Sequence, residues 1–272
     1  MPIVTAKVGN DLAKSTEELM DAMRCDQLIT RFSSVIIKPN LCCLKPPETG
    51  ATTDVRIVEA IVRYIHRVDS DIQVSIVESS SLGRSARARF KKLGYTRLEA
   101  VRLVDLTLED KLRNIGGILL PEILFGGLFI SVPKLKTHYF DVGCVLKNQF
   151  GCVPDRDKHK FHPILAEAVW KINAAIKPGA CVVDAVFAME GMGPIDGKPR
   201  KLDMLIGGLD INEVDQFATT LMDRASFKPP PSDLRHLLRT SHRLARGFPH
   251  MPSYLLEELL INVWRVREKM HI

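Results

Sequence analysis

The chain has 272 residues, 46% of them apolar and 26% charged, which suits a folded protein with a sizeable core. No apolar run approaches the about 20 residues needed to cross a bilayer, and the start Met1-Pro2-Ile3-Val4 has no apolar stretch behind a basic one. A transmembrane or exported protein is therefore not expected, and a cytoplasmic location is. The net charge of +6 is uneven: residues 224–272 hold nine Lys/Arg against four Asp/Glu, leaving the rest nearly neutral. That distribution argues against general nucleic-acid binding.

Short β-branched or apolar runs read as buried parallel strands: Val35–Ile37, Gln73–Val77, Val101–Val104, Leu128–Val132, Cys181–Val183 and Met204–Ile206. Helix-period stretches separate them. Val55, Val58, Ile61, Val62 and Ile65 form one stripe, and Leu165, Val169, Ile172 and Ile176 another. This alternation predicts an α/β fold, a doubly wound, mostly parallel sheet with helices on both faces. Lys228-Pro229-Pro230-Pro231 breaks the pattern. The body is placed at residues 1–226 and a C-terminal helical appendage at 232–272, where Ser232 and Ser253 would cap two amphipathic helices. Arg235, Arg239, Arg243 and Arg246 make the first basic, which suits a protein partner or self-association through 232–272.

Polar groups follow directly on the strands: Lys38 and Asn40, Glu78, Lys134 to His138, and Asp184. Open parallel sheets bind ligands outside the carboxyl ends of their strands, so these groups are expected to share a crevice. Residues 134–162 concentrate cations and imidazoles: Lys134, Lys136, Lys147, Lys158 and Lys160 with His138, His159 and His162. Lysine suits a phosphate or carboxylate, and histidine exchanges a proton near neutrality. If the strand continues past Val132, alternation puts Lys134, Lys136 and His138 on one side. A second candidate loop, Ala188 to Pro199, carries Gly191, Gly193 and Gly197, with Lys198 placed to cap an anion. It is no Walker loop, because Pro199 stands where Ser or Thr would hold magnesium.

Six cysteines without a C-x-x-C pair read as reduced thiols. Cys42, Cys43, Cys144 and Cys152 follow strands and are candidate ligands for an iron–sulfur cluster. His159 and His162, three apart, are candidates for a divalent metal. Nothing resembles a nucleophile elbow or a Ser-His-Asp set.

Taken in order, Val35-Ile36-Ile37-Lys38-Pro39-Asn40, Thr52-Thr53-Asp54, Val77-Glu78-Ser79, Val132-Pro133-Lys134-Leu135-Lys136-Thr137-His138, Lys147-Asn148-Gln149-Phe150-Gly151, and Val183-Asp184-Ala185 with Met189-Glu190-Gly191-Met192-Gly193-Pro194 resemble the prokaryotic family known as domain of unknown function three-six-two, over roughly residues 30–222. Some members are fused to ferredoxin-type iron–sulfur modules, so the resemblance implies a redox connection for those; this chain shows no such module. The resulting expectation is an enzyme-type protein binding a small anion. Lys134, Lys136, His138 and Lys147 are its chemical groups, and Lys38, Asn40, Thr53, Asp54, Asn148, Gly191, Gly193 and Lys198 bind the ligand. Glu78, Asp184 and Glu190 balance charge. The alternatives are an iron–sulfur-associated redox protein and a non-enzymatic assembly module docking through 232–272.

Overall fold

A computed structural model describes residues 3–81, 83, 85–138 and 144–225. The two C-terminal helices expected at 232–272 lie outside them. In chain order the strands are β1 (Val4–Lys7), β2 (Ser34–Pro39), β3 (Gln73–Glu78), β4 (Val101–Asp105), β5 (Leu112–Ile115), β6 (Ile118–Pro121), β7 (Leu128–Val132), β8 (Lys134–Lys136), β9 (Ala180–Glu190) and β10 (Lys198–Gly208). The α-helices are α1 (Leu12–Ala22), α2 (Cys25–Ile29), α3 (Val55–Val68), α4 (Ala86–Lys92), α5 (Leu165–Ile176) and α6 (Ile211–Arg224).

The main sheet runs β1-β10-β9-β7-β2-β3-β4, with β8 also on β9, and β5–β6 form a separate hairpin. β2, β3, β4, β7, β8 and β9 are parallel, as the alternating pattern predicts. β10 is not: it pairs antiparallel with both β9 and β1, which corrects the reading of Met204–Ile206 as a parallel strand. Residues 191–197 are too few for the crossover that a parallel partner requires, so the chain returns as a hairpin. The same finding corrects the glycine-rich loop. Ala188 to Glu190 belong to β9, Lys198 and Pro199 open β10, and only the residues between them turn.

Alternation in the buried strands separates two cores. Ile37, Ile76, Ile130 and Val182 pack with α1 and α3, while their neighbours Ile36, Val77 and Phe129 pack with α5 and the 3-10 segment Leu146–Cys152. A third cluster joins Cys181, Val183 and Ile206 to α6. Helices therefore cover both faces. Asp54 caps α3 by accepting from the Arg56 amide, and α3 buries Ile57, Val58, Ile61, Val62 and Ile65. α5 buries all four residues of its expected stripe. No helix among the described residues is long and apolar enough to cross a membrane.

One glycine fixes the segment between β2 and α3 against the sheet. Gly50 has φ +75, and a Cβ there would lie 2.5 Å from the Ala188 carbonyl oxygen. Both facts exclude a side chain. Gly50→Ala should lower stability by at least about 2 kcal/mol, seen as a reduced urea midpoint at unchanged slope.

Candidate functional site

The polar residues on β2, β3, β8 and β9 form three linked groups, but Asp184, expected to end its strand, lies within β9, which runs on to Glu190. The first surrounds Asp184, which is fully buried. Its Oδ2 accepts from Lys134 Nζ at 2.9 Å and from the Asp54 amide at 2.9 Å; its Oδ1 accepts from the Val186 amide at 3.1 Å. The adjacent Thr53 hydroxyl donates to the Val132 carbonyl and accepts from the Asn40 amide. Lys134, itself 1% exposed, is thus neutralised by a carboxylate in the core. Its expected role in gripping a ligand gives way to one of holding Asp184.

The second group surrounds Lys136. Its ammonium donates to Asn40 Oδ1 at 3.0 Å and to the carbonyls of Ala51 at 2.8 Å and Pro194 at 3.2 Å, with Cys42 Sγ at 3.3 Å. The charge is held by neutral dipoles. Lys134 turns inward onto Asp184 and Lys136 onto the Ala51 carbonyl. His138 is half-buried, and burial lowers its pKa well below the usual histidine value, helped by the cationic fields of Lys147, His162 and Lys136. It is therefore a neutral imidazole at neutral pH.

The third group centres on Glu78. Lys38 donates to it at 2.9 Å and to the Pro39 carbonyl at 2.6 Å; the amides of Leu41 and Ser79 complete its shell. Arg89, from α4, donates to the carbonyls of Leu41 at 2.5 Å and Ser79 at 2.6 Å. Lys158 donates to Ser79 Oγ at 2.5 Å and to the Ser80 carbonyl at 3.1 Å. Burial pushes the Glu78 pKa up, yet the fields of Lys38, Arg89 and Lys158 outweigh it and hold the carboxyl below its usual range. Burial brings Lys158 down from 10.5 to about 8.

Asn148 lies over this group from the 3-10 segment, donating to the Lys38 carbonyl at 2.9 Å and to Ser131 Oγ at 3.0 Å. Arg89, Ser79 and Ser131 were not singled out as site residues from sequence, and Lys158 was named only as one cation of the 134–162 stretch. Their partners are mostly backbone carbonyls or neutral hydroxyls, which leave no charge pattern to follow. Elsewhere on the hairpin, Glu190 pairs with Arg200 and faces Lys198 across the ladder. Lys198 is exposed, and the Gly191 carbonyl accepts from the Thr137 hydroxyl. Gly193 packs directly on the Thr137 carbonyl, leaving no room for a Cβ. These residues form the turn's own contacts and are not brought to the Glu78 group.

The four cysteines do not form one ligand set. Cys42 and Cys43 sit with Ala51 and Met189, Cys144 packs on the α6 cluster, and Cys152 on the α5 cluster. Burial pushes the thiols of Cys144 and Cys152 up to about 12, so they stay protonated. This arrangement does not fit an iron–sulfur cluster. His159 and His162 do meet, because three residues per turn of the 3-10 segment Lys158–Ile164 align them, with ring centroids 4.9 Å apart. Asp155, however, is turned to Lys160 and the Asp157 amide. Among the described residues no three His, Cys, Asp or Glu side chains gather as metal ligands would.

A family model with the description Domain of unknown function (DUF362) matches residues 35–220. A thylakoid-associated protein of Synechocystis sp. is 26% identical over 211 residues, covering 69% of this chain and 62% of that protein. Among solved structures, the lactate racemase apoprotein from Thermoanaerobacterium thermosaccharolyticum is similar at a TM-score of 0.48 and 10% identity, over 81% of this chain and 62% of that one. An O-methyltransferase family protein from Burkholderia thailandensis follows at a TM-score of 0.22 and 12% identity, over 72% of this chain and 59% of that one. The chain spans less than two thirds of the length of each of these proteins.

Truncating one partner of the Asp184 pair should separate structure from binding. Asp184→Ala strands a buried ammonium and two backbone donors and should cost about 3–5 kcal/mol in chemical denaturation. Lys134→Met leaves the buried Asp184 carboxylate without its ammonium but with both backbone donors in place, and should cost less.

Proposed function

The chain belongs to the family described as Domain of unknown function (DUF362), and we propose that it is an enzyme-type protein that binds a small carboxylate or phosphate anion at the carboxyl edge of its sheet. The observation that carries this reading is the imbalance at Glu78: one carboxylate is acted on by Lys38, Arg89 and Lys158 together. Buried charge is costly unless it is paired, and a cation lacking a carboxylate must be compensated by dipoles or by an anion. Lys136 has three neutral oxygens. Among the described residues Lys158 Nζ meets the Ser79 hydroxyl and the Ser79 and Ser80 carbonyls, and burial lowers its pKa to about 8. An anion seated beside it would restore the balance.

In this reading Lys38 and Lys158 attract and orient the anion, while Arg89 fixes the carbonyls of Leu41 and Ser79 so that the loop keeps its shape. Lys136 and Lys147 add positive potential on the side of His138. His138, kept neutral by its surroundings, offers the bound molecule a neutral imidazole. Lys134 and Asp184 anchor β8 and the start of α3, setting the positions of Lys136 and His138.

Titrating inorganic phosphate and acetate against the purified protein, with chloride as the ionic control, should raise the Tm in a saturable way for at least one of the two. Lys158→Met should weaken that affinity about tenfold. Equal responses to phosphate, acetate and chloride would overturn the proposal. The pH dependence has two opposite parts. Without ligand, the unfolded chain holds the Lys158 proton more tightly than the folded one between about 8 and 10.5, so stability should rise with pH across that window. Anion affinity should fall over the same rise, because Lys158 loses its charge above about 8.

A further inference from the structure

Asn148 is 4% exposed, yet its side-chain oxygen accepts no hydrogen bond from the described residues. Its amide orientation is imposed from a distance. On α5, Asn173 Nδ2 donates to the carbonyls of Leu146 at 2.9 Å and Val169 at 2.8 Å, groups that only accept. Asn173 therefore presents its oxygen to Gln149 Nε2 at 2.9 Å. That leaves Gln149 Oε1 to accept from the Ser131 hydroxyl at 3.0 Å. With its single proton so committed, Ser131 Oγ accepts from Asn148 Nδ2 at 3.0 Å, and the same amide nitrogen donates to the Lys38 carbonyl at 2.9 Å. Reversing the Asn148 amide would set its oxygen against the Lys38 carbonyl and against a hydroxyl with no proton to give. The relay runs in one direction and ends on an empty acceptor.

A buried acceptor without a donor is costly, so the arrangement calls for a donor from outside the chain. The acceptor belongs to a residue lying on Lys38, whose ammonium commits two of its three protons, to Glu78 and the Pro39 carbonyl. Gly151, on the same 3-10 segment, leaves space beside that buried ammonium: a Cβ there would lie 3.0 Å from Lys38 Nζ. A spare cationic donor and an empty neutral acceptor thus belong to neighbouring residues.

Resting on the anion site proposed above, we propose that Asn148 Oδ1 reads a hydroxyl or ammonium group carried next to the ligand's negative charge. The ligand class is then a hydroxy- or amino-substituted carboxylate or phosphate monoester. The relay through Ser131, Gln149 and Asn173 makes Asn148 an acceptor only, so an anion lacking the donor leaves the oxygen unpaired and is discriminated against.

Calorimetric titration of the full chain tests this with matched probes: glycolate and glycine against acetate, and ethanolamine phosphate against ethyl phosphate. The expected result is about tenfold or tighter binding of the donor-bearing member in at least one series, carboxylate or phosphate, which also identifies the charged group. In Asn148→Ala the preference should collapse while affinity for the plain anion persists. Equal affinities within both series in the wild-type chain would overturn the inference, a water then filling the acceptor, and would leave the anion site standing. Failure of every probe to bind would overturn the anion site and this inference together. The wild-type comparison decides the matter even if Asn148→Ala does not fold.

Discussion

The carboxylate of Asp184 gathers three separate pieces of chain. It accepts from the side chain of β8, from the amide that precedes α3, and from its own strand two residues on. None of these donors has water to fall back on, since Asp184 and Lys134 are both buried. In such surroundings an unpaired charge is far more expensive than a paired one is beneficial, so the arrangement tolerates no slip in register. The short strand β8 leaves β7 at Pro133 and is held on β9 by this contact and by the Thr137 amide on the Met189 carbonyl. Everything beyond it, Lys136 turned inward and His138 at the rim, inherits its position from that bond.

Three ammonium groups within one edge illustrate three ways of holding a cation out of water. Lys134 takes a carboxylate, and Lys136 takes a ring of amide and backbone oxygens. Lys158 takes a serine and a carbonyl, in the field of two further cations that share a single glutamate. The first two are closed arrangements. The third shares one carboxylate among several cations, and charges of one sign beside a low-dielectric wall focus potential, which is the ground of the anion site proposed above. Function is read most readily where such compensation is incomplete, because completed pairs serve the fold.

The parallel part of the fold was legible because runs such as Val35–Ile37 and Leu128–Val132 are apolar on both faces, the mark of a covered strand. The periods of α3 and α5 were equally plain. Strand direction was not: Met204–Ile206 carries the same signal as its parallel neighbours, and only the short span after Glu190 shows that the chain turns back. Charged residues could be found by position near strands, and Lys38 pairs with Glu78 and Lys134 with Asp184, although Asp184 lies within β9 and not at its end. Lys158 could be named only as one cation of the 134–162 stretch and Arg89 not at all, since they reach the Glu78 group from a 3-10 segment and a helix whose docking no local pattern encodes. The neutral relay of Ser131, Gln149 and Asn173 is quieter still; its meaning lies in which atom donates to which, a property of the assembled chain.

The place of β1 has a consequence for how the molecule is made. β1 is an edge strand whose partner is β10, so Val4 waits for Gly207. β2, β3, β4 and β7 can pair with one another over shorter spans of chain, whereas β1 has no ladder to join until β10 is in place. Closing so large a loop is entropically slow, and an unpaired strand presents free backbone donors and acceptors. The β1–β10 ladder is therefore the contact of longest sequence separation in the sheet, and the pairing expected to form late.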